Sequence, residues 1–244
     1  MQGKAIMSAH SRAVVFMVIF ISCISAAVAD ERKVFFREDF KSLENWRPFY
    51  FPKNKKHTLY TIEQQGDKNC LRAESSASAS ALVYKIKFNV NEYPKVRWRW
   101  KVNNIYTKGD NGTKAGDDYP MRIYIAFEYD SENEGFFEKI KNKLVRKIYG
   151  ESPPHSSLNY VWASREHKER IINSPHTERV RIVILEQGTS NIGRWQDENI
   201  DIIEDYRKAY GSPPPAIANI AIMNDSDNTG ESSVSFLDCL EVYR

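Results

Sequence analysis

Cysteine is scarce in this sequence, with three in 244 residues. That excludes a disulfide-dense scaffold. An excess of one charge is also lacking. Thirty-five Lys and Arg stand against 32 Asp and Glu, a formal +3. The broad basic footprint of a nucleic-acid binder is therefore missing. His57, His155, His167 and His176 are scattered, with no HExxH or HxxxH spacing, so a zinc site has no ligand set. No GxSxG nucleophile elbow and no phosphate-cradling glycine loop occur. What is present, 41% hydrophobic, 27% charged and 12% aromatic residues, is globular composition and excludes a disordered chain.

The longest uncharged run covers residues 13–29 and follows Lys4 and Arg12. It ends Ala27-Val28-Ala29, and Asp30-Glu31-Arg32-Lys33 comes next. A basic head, a short apolar stretch and small residues before the junction read as a secretory signal peptide over 1–29. The run is short for a spanning helix, which needs about 20 apolar residues. The expectation is a periplasmic or secreted protein with no transmembrane segment after cleavage. Cleavage would remove Lys4, Arg12 and no acidic residue, taking the charge from +3 to +1. It would also remove Cys23, leaving Cys70 and Cys239 as either a disulfide or two buried thiols.

Alternation dominates the remainder, read as one domain over 30–244. In Val96-Arg97-Trp98-Arg99-Trp100-Lys101-Val102, apolar and basic side chains take opposite faces, as in a half-buried antiparallel strand. Further strands are expected at 33–39, 57–64, 70–74, 79–88, 121–129, 179–186, 216–223 and 232–243. Two helical insertions are expected. One is 135–149, with Phe136, Ile140, Leu144 and Ile148 four apart; the other is 199–210, closed by Gly211 and Pro213-Pro214-Pro215. The fold class read from this pattern is mainly β: an antiparallel, jelly-roll-like β-sandwich with two short helical insertions.

Four features could carry chemistry. Asp117 and Asp118, just before Arg122, can bind a cation, pair across a cleft, or form a solvated turn. Asn224-Asp225-Ser226-Asp227-Asn228-Thr229-Gly230 places carboxylates at alternate positions before a glycine, like the first half of a calcium loop. Phe236 stands where a helical calcium hand needs Glu, so the choice is a β-loop site, with Asp225 and Asp227 as ligands, or an Asx-rich turn. Among the tryptophans, Trp98 and Trp100 lie on an apolar face and read as core, which leaves Trp162 and Trp195 as candidates to stack on a sugar. The row Arg97, Arg99, Lys101 can face an anion or be a charge-paired outer face.

Taken in order, several segments form a set: Trp98-Arg99-Trp100, Asp117-Asp118 with Arg122, Tyr149-Gly150, and Leu158-Asn159-Tyr160-Val161-Trp162. Then come Gly188 through Trp195, Asp205-Tyr206, Tyr210-Gly211, and Ile222-Met223-Asn224 through Gly230. This set resembles a bacterial family of exported proteins of uncharacterised function, the domain of unknown function 3047. One departure stands out. A basic residue is expected between Trp195 and Asp205, where this chain reads Gln-Asp-Glu-Asn-Ile-Asp-Ile-Ile-Glu. The resemblance implies one candidate set, Asp117, Asp118, Arg122, Trp162, Trp195, Asp205, Tyr206, Asp225 and Asp227, without roles; read with the motifs above, the first seven are expected to bind a ligand and Asp225 and Asp227 calcium. The expected function is non-catalytic binding of a carbohydrate or cell-envelope ligand. A glycoside hydrolase or polysaccharide lyase, or a structural envelope protein, are the alternatives on the same scaffold.

Overall fold

A computed structural model describes residues 32–129 and 154–244. The chain forms, in order, β1 (Val34–Glu38), β2 (Trp46–Phe49), β3 (Leu59–Gln65), β4 (Lys68–Ser76), β5 (Ala79–Tyr84), β6 (Phe88–Asn89) and β7 (Lys95–Val102). There follow β8 (Arg122–Phe127), β9 (Ser156–Ala163), β10 (Ile171–Asn173), β11 (Val180–Gln187), β12 (Gln196–Asp201), helix α1 (Ile202–Tyr210), β13 (Ile217–Asp225) and β14 (Ser232–Tyr243). The strands form two sheets. One runs β12-β7-β14-β4-β3, with β1 also on β14. The other runs β10-β11-β9-β8-β13-β5-β2, with β6 also on β13.

The sheets pack as a sandwich through their apolar faces. Val96, Trp98, Trp100 and Val102 of β7 meet Leu158, Tyr160 and Trp162 of β9 and Ile123, Ile125 and Phe127 of β8 in one core. The rings pack edge to face or tilted: Trp98 against Tyr160 at 5.8 Å, and Trp100 against Trp162 at 5.9 Å. The period-2 pattern of residues 96–102 thus faces the way the sequence implies, because one face of β7 is core and the other is outside.

Three expectations change. First, the sheets are not wholly antiparallel: β9 and β11 run parallel. Neither sheet closes into a jelly-roll barrel; each has two end strands instead. Second, β9 at the middle of its sheet is buried along its whole length. A strand covered on both faces shows no alternation, which is why the sequence hides it. Third, the segment 199–210 divides. Its first residues belong to β12, and the helix begins at Ile202. Asp201 caps it, accepting from Glu204 N at 3.0 Å. Gly211, in the left-handed region at φ +72, ends it with a bond to the Arg207 carbonyl at 2.8 Å. Among the described residues this is the one α-helix; the segment 135–149 lies outside them.

Cys70 and Cys239 are free thiols. The Cys70 thiol is buried and donates to the Glu63 carbonyl at 3.3 Å. Burial, with Glu63 and Asp238 nearby, pushes its pKa up to about 11. Among the described residues, no helix is long and apolar enough to cross a membrane.

Candidate functional site

The side chains singled out by sequence fall into four places. The first is on the outer face of the larger sheet. Ile123 and Ile222 point into the core, so their neighbours Arg122, at the start of β8, and Asp225, at the end of β13, point outward with the alternation. Arg122 Nε donates to Asp225 Oδ1 at 2.8 Å, and Nη2 contacts Asp225 Oδ2. This is a forked, charge-assisted pair. The same Nη2 donates to the Asp117 carbonyl at 3.2 Å, and the Asp117 carboxylate lies 3.9 Å from Nη1. The guanidinium stands 4.7 Å from the Tyr119 ring. Arg122 is 4% exposed and Asp225 1%. Burial raises the pKa of Asp117, and the Arg122 charge opposes that shift.

Asp118 faces the adjoining hairpin. It accepts from Thr229 N at 2.6 Å and from Asn228 N at 3.3 Å, so it ties down the turn between β13 and β14. Asp227 accepts from Asn54 Nδ2 at 2.7 Å. Oxygens of Asp118, Asp225 and Asp227 all lie within 4.8 Å of one another. The fold therefore gathers Asp117, Asp118, Arg122, Asp225 and Asp227, and three of these carboxylates could coordinate a metal ion. Arg122 already opposes the charge of Asp225, which weakens the attraction for a second cation.

Asp205 and Tyr206 lie elsewhere. They sit on α1, and the Tyr160 hydroxyl donates to Asp205 at 3.2 Å. Tyr160 is a core residue on the inner face of the larger sheet, whereas Arg122 is on its outer face. Tyr206 packs on Phe127 at 4.7 Å and shares a hydrogen bond with Ser156 at 2.9 Å. Trp162 is 0% exposed and fills the core; its indole N–H donates to the Gly188 carbonyl at 3.3 Å. It presents no face to a ligand. Trp195 is half-buried on the outer side of the smaller sheet, next to Arg99 and Lys101. The basic row is largely paired: Arg97 with Glu241 at 3.0 Å, and Arg99 with Asp238 at 3.4 Å.

A further group was not anticipated. Strand β12 ends the smaller sheet, and in its pairing with β7 Glu198 stands directly opposite Trp98. Cross-strand partners share a face, so Glu198 points inward at the edge of the sandwich that β12 forms. The Trp100 indole N–H donates to its Oε1 at 3.0 Å. Burial, then the charge of Glu186 on β11, pushes the Glu198 pKa from its ordinary 4.5 up to about 7; the Trp100 hydrogen bond opposes this only in part. Glu186 is held by Asn191 Nδ2 at 2.8 Å. Arg170, before β10, lies 3.7 Å from Asp205 and also acts on Glu198. Burial raises Asp205 as well, against the pull of Arg170. Glu198, Glu186 and Asp205 are thus linked through charge, with Arg170 acting on Glu198 and Asp205 and the Trp100 indole bonded to Glu198. The only sequence signal was an inward position in a charged strand, and residues 196–201 show too little apolar alternation to be read as a strand.

Comparison with solved structures returns scaffolds of low similarity. The enzymatically active domain of bacteriophage CBA120 tailspike protein 4 matches at TM-score 0.39 and 7% identity, over 84% of this chain. The match takes up only 20% of that longer chain. The cellulose induced protein Cip1 matches at TM-score 0.43 and 9% identity, over 85% of this chain and 96% of that one. Endoglucanase 3 of Trichoderma harzianum, from family GH12, matches at TM-score 0.39 and 9% identity, over 88% and 98%. Similarity this low transfers neither substrate nor reaction. No curated protein matches the sequence significantly. The family profile for a protein of unknown function, DUF3047, matches residues 44–241, and the chain belongs to that family.

Proposed function

We propose that this is an exported, periplasmic or secreted carbohydrate-active protein, a glycoside hydrolase whose acid is Glu198. The observation that supports this reading is the Glu198 carboxyl: half-buried on the edge strand β12, hydrogen-bonded to the Trp100 indole, and with its pKa pushed up to about 7 by burial and by Glu186. A carboxylic acid that still holds its proton near neutrality can donate it to a leaving oxygen. Hydrolysis of an acetal needs that acid and a second carboxylate, with no metal and no serine or cysteine nucleophile. Glu198 gives its proton to the glycosidic oxygen as the C–O bond breaks. The Glu186 carboxylate stabilises the positive charge developing on the sugar. Water adds to that sugar carbon and passes its proton to the Glu198 carboxylate, which restores the acid, and two hydroxyl-ended fragments leave.

The test is release of reducing ends from a panel of neutral and acidic polysaccharides. Glu198→Gln is expected to lower the rate by about 10²–10⁴-fold, the usual contribution of a general acid. Activity unchanged in Glu198→Gln, or no release from any polysaccharide, would overturn the assignment.

The same proposal includes calcium at Asp118, Asp225 and Asp227. What supports it is three hard oxygen donors on converging loops. With Arg122 already on Asp225, the site belongs to the weak class of extracellular modules, with Kd of about 10⁻⁴–10⁻³ M.

A further inference from the structure

We infer that the outer face of the smaller sheet holds a subsite for one neutral sugar ring, with Trp195 as its platform. It is independent of the acid–base reading, because Trp195 and Glu198 take opposite faces of the sheet. Trp195 immediately precedes β12, and Gly193 sets its position. That glycine sits in the left-handed region at φ +74, and its N–H bonds the Val102 carbonyl at 2.8 Å. This brings the indole over β7 and β14, 6.5 Å from Phe236, with Arg99 and Lys101 within 5.2 Å and 5.1 Å of its ring. These contacts hold the ring in place before any ligand arrives.

Beside the indole is a pocket of about 200 Å3 lined by Gln65, Asp67, Lys68, Arg99 and Asp238. Ordinary small-molecule sites have about 300–1,000 Å3, so this one takes a single ring of a longer chain. Its polar groups are mixed. Lys68 donates and Asp67 accepts; Gln65 is held between Lys101 at 2.7 Å and Glu63 at 3.1 Å, and Arg99 and Asp238, paired with each other, keep further donor and acceptor capacity. A sugar hydroxyl also does both, and the C–H face of a pyranose matches an indole. An anionic ligand suits the pocket poorly. Arg99 already pairs with Asp238 at 3.4 Å and with Asp197 at 3.3 Å, and two carboxylates line the same wall.

Indole N–H signals of ¹⁵N-labelled protein are followed with cellohexaose, xylohexaose and mannohexaose, and with hexagalacturonate as the charged control. The Glu198→Gln protein is used beside the wild type, so that turnover and binding are read separately. Trp195→Phe assigns the signal. At least one neutral hexaose is expected to shift it, with little change between about 0.05 and 0.5 M salt. Trp195→Ala and, with the indole intact, Asp67→Ala are each expected to weaken that binding by about tenfold or more. If no neutral probe shifts the signal, the inference fails. It fails too if only hexagalacturonate binds and salt abolishes it, or if both variants bind normally.

Discussion

Two groups of carboxylates in this sandwich use the same chemistry to opposite ends. On the outer face of the larger sheet, Asp225 is locked in a fork with Arg122, and Asp118 is satisfied by loop amides. At the β12 edge, Glu198 has one indole hydrogen bond, the Glu186 charge nearby and Arg170 acting on it only through its charge. Both groups are removed from bulk water. In the first, a fixed cation pairs with Asp225 and opposes the upward shift that burial gives Asp117. In the second, burial is opposed only in part, by the Trp100 hydrogen bond and the Arg170 charge, and the Glu198 pKa rises to about 7. Burial alone marks neither a structural nor a reactive carboxyl; the partner decides which it becomes.

The largest effect that would break this contrast is loss of the fixed cation. Arg122→Ala leaves Asp225 buried without its partner and is expected to cost about 3–5 kcal/mol. The fall in Tm is on the order of 10 °C. A loss under about 1 kcal/mol would mean the pair is not a brace.

Calcium gives a smaller change. At roughly ten times its Kd, bound calcium is expected to add about 1–2 kcal/mol, and chelator should reverse it. Asp227 is exposed, so Asp227→Ala should fold yet lose the shift. An unchanged shift in that variant would remove the cation from these loops.

The third effect, read as a slope, is the pH dependence of stability from Glu198. Its folded pKa is raised, so its contribution is fully present below the unfolded value near 4.5. That contribution is lost as pH rises through about 7. Glu198→Gln should flatten this slope, and its Tm should gain on the wild type by a few degrees between those limits. Parallel Tm curves would show that the group titrates normally.

Much of the fold was legible in the sequence, and the reason is local. Residues 96–102 alternate because one face of β7 meets the core. Gly211 marks the end of α1 because the chain turns through positive φ there. Strand β9 was hidden because burial on both sides erases alternation, and β12 because its inward positions Gln196 and Glu198 are polar. The site was only half legible. Asp117, Asp118, Arg122, Asp225 and Asp227 are close in two sequence segments, and a single strand pairing, β8 with β13, unites them. Glu198 and Glu186 belong to different sheets, so no spacing along the chain encodes the influence of one on the other.

The most direct test is a carboxyl titration of Glu198 by ¹³C NMR, in the wild type and in Glu186→Gln. The account predicts a midpoint near 7 in the wild type and a lower one once the Glu186 charge is gone. A wild-type midpoint at the ordinary glutamate value, or one indifferent to Glu186→Gln, would contradict it.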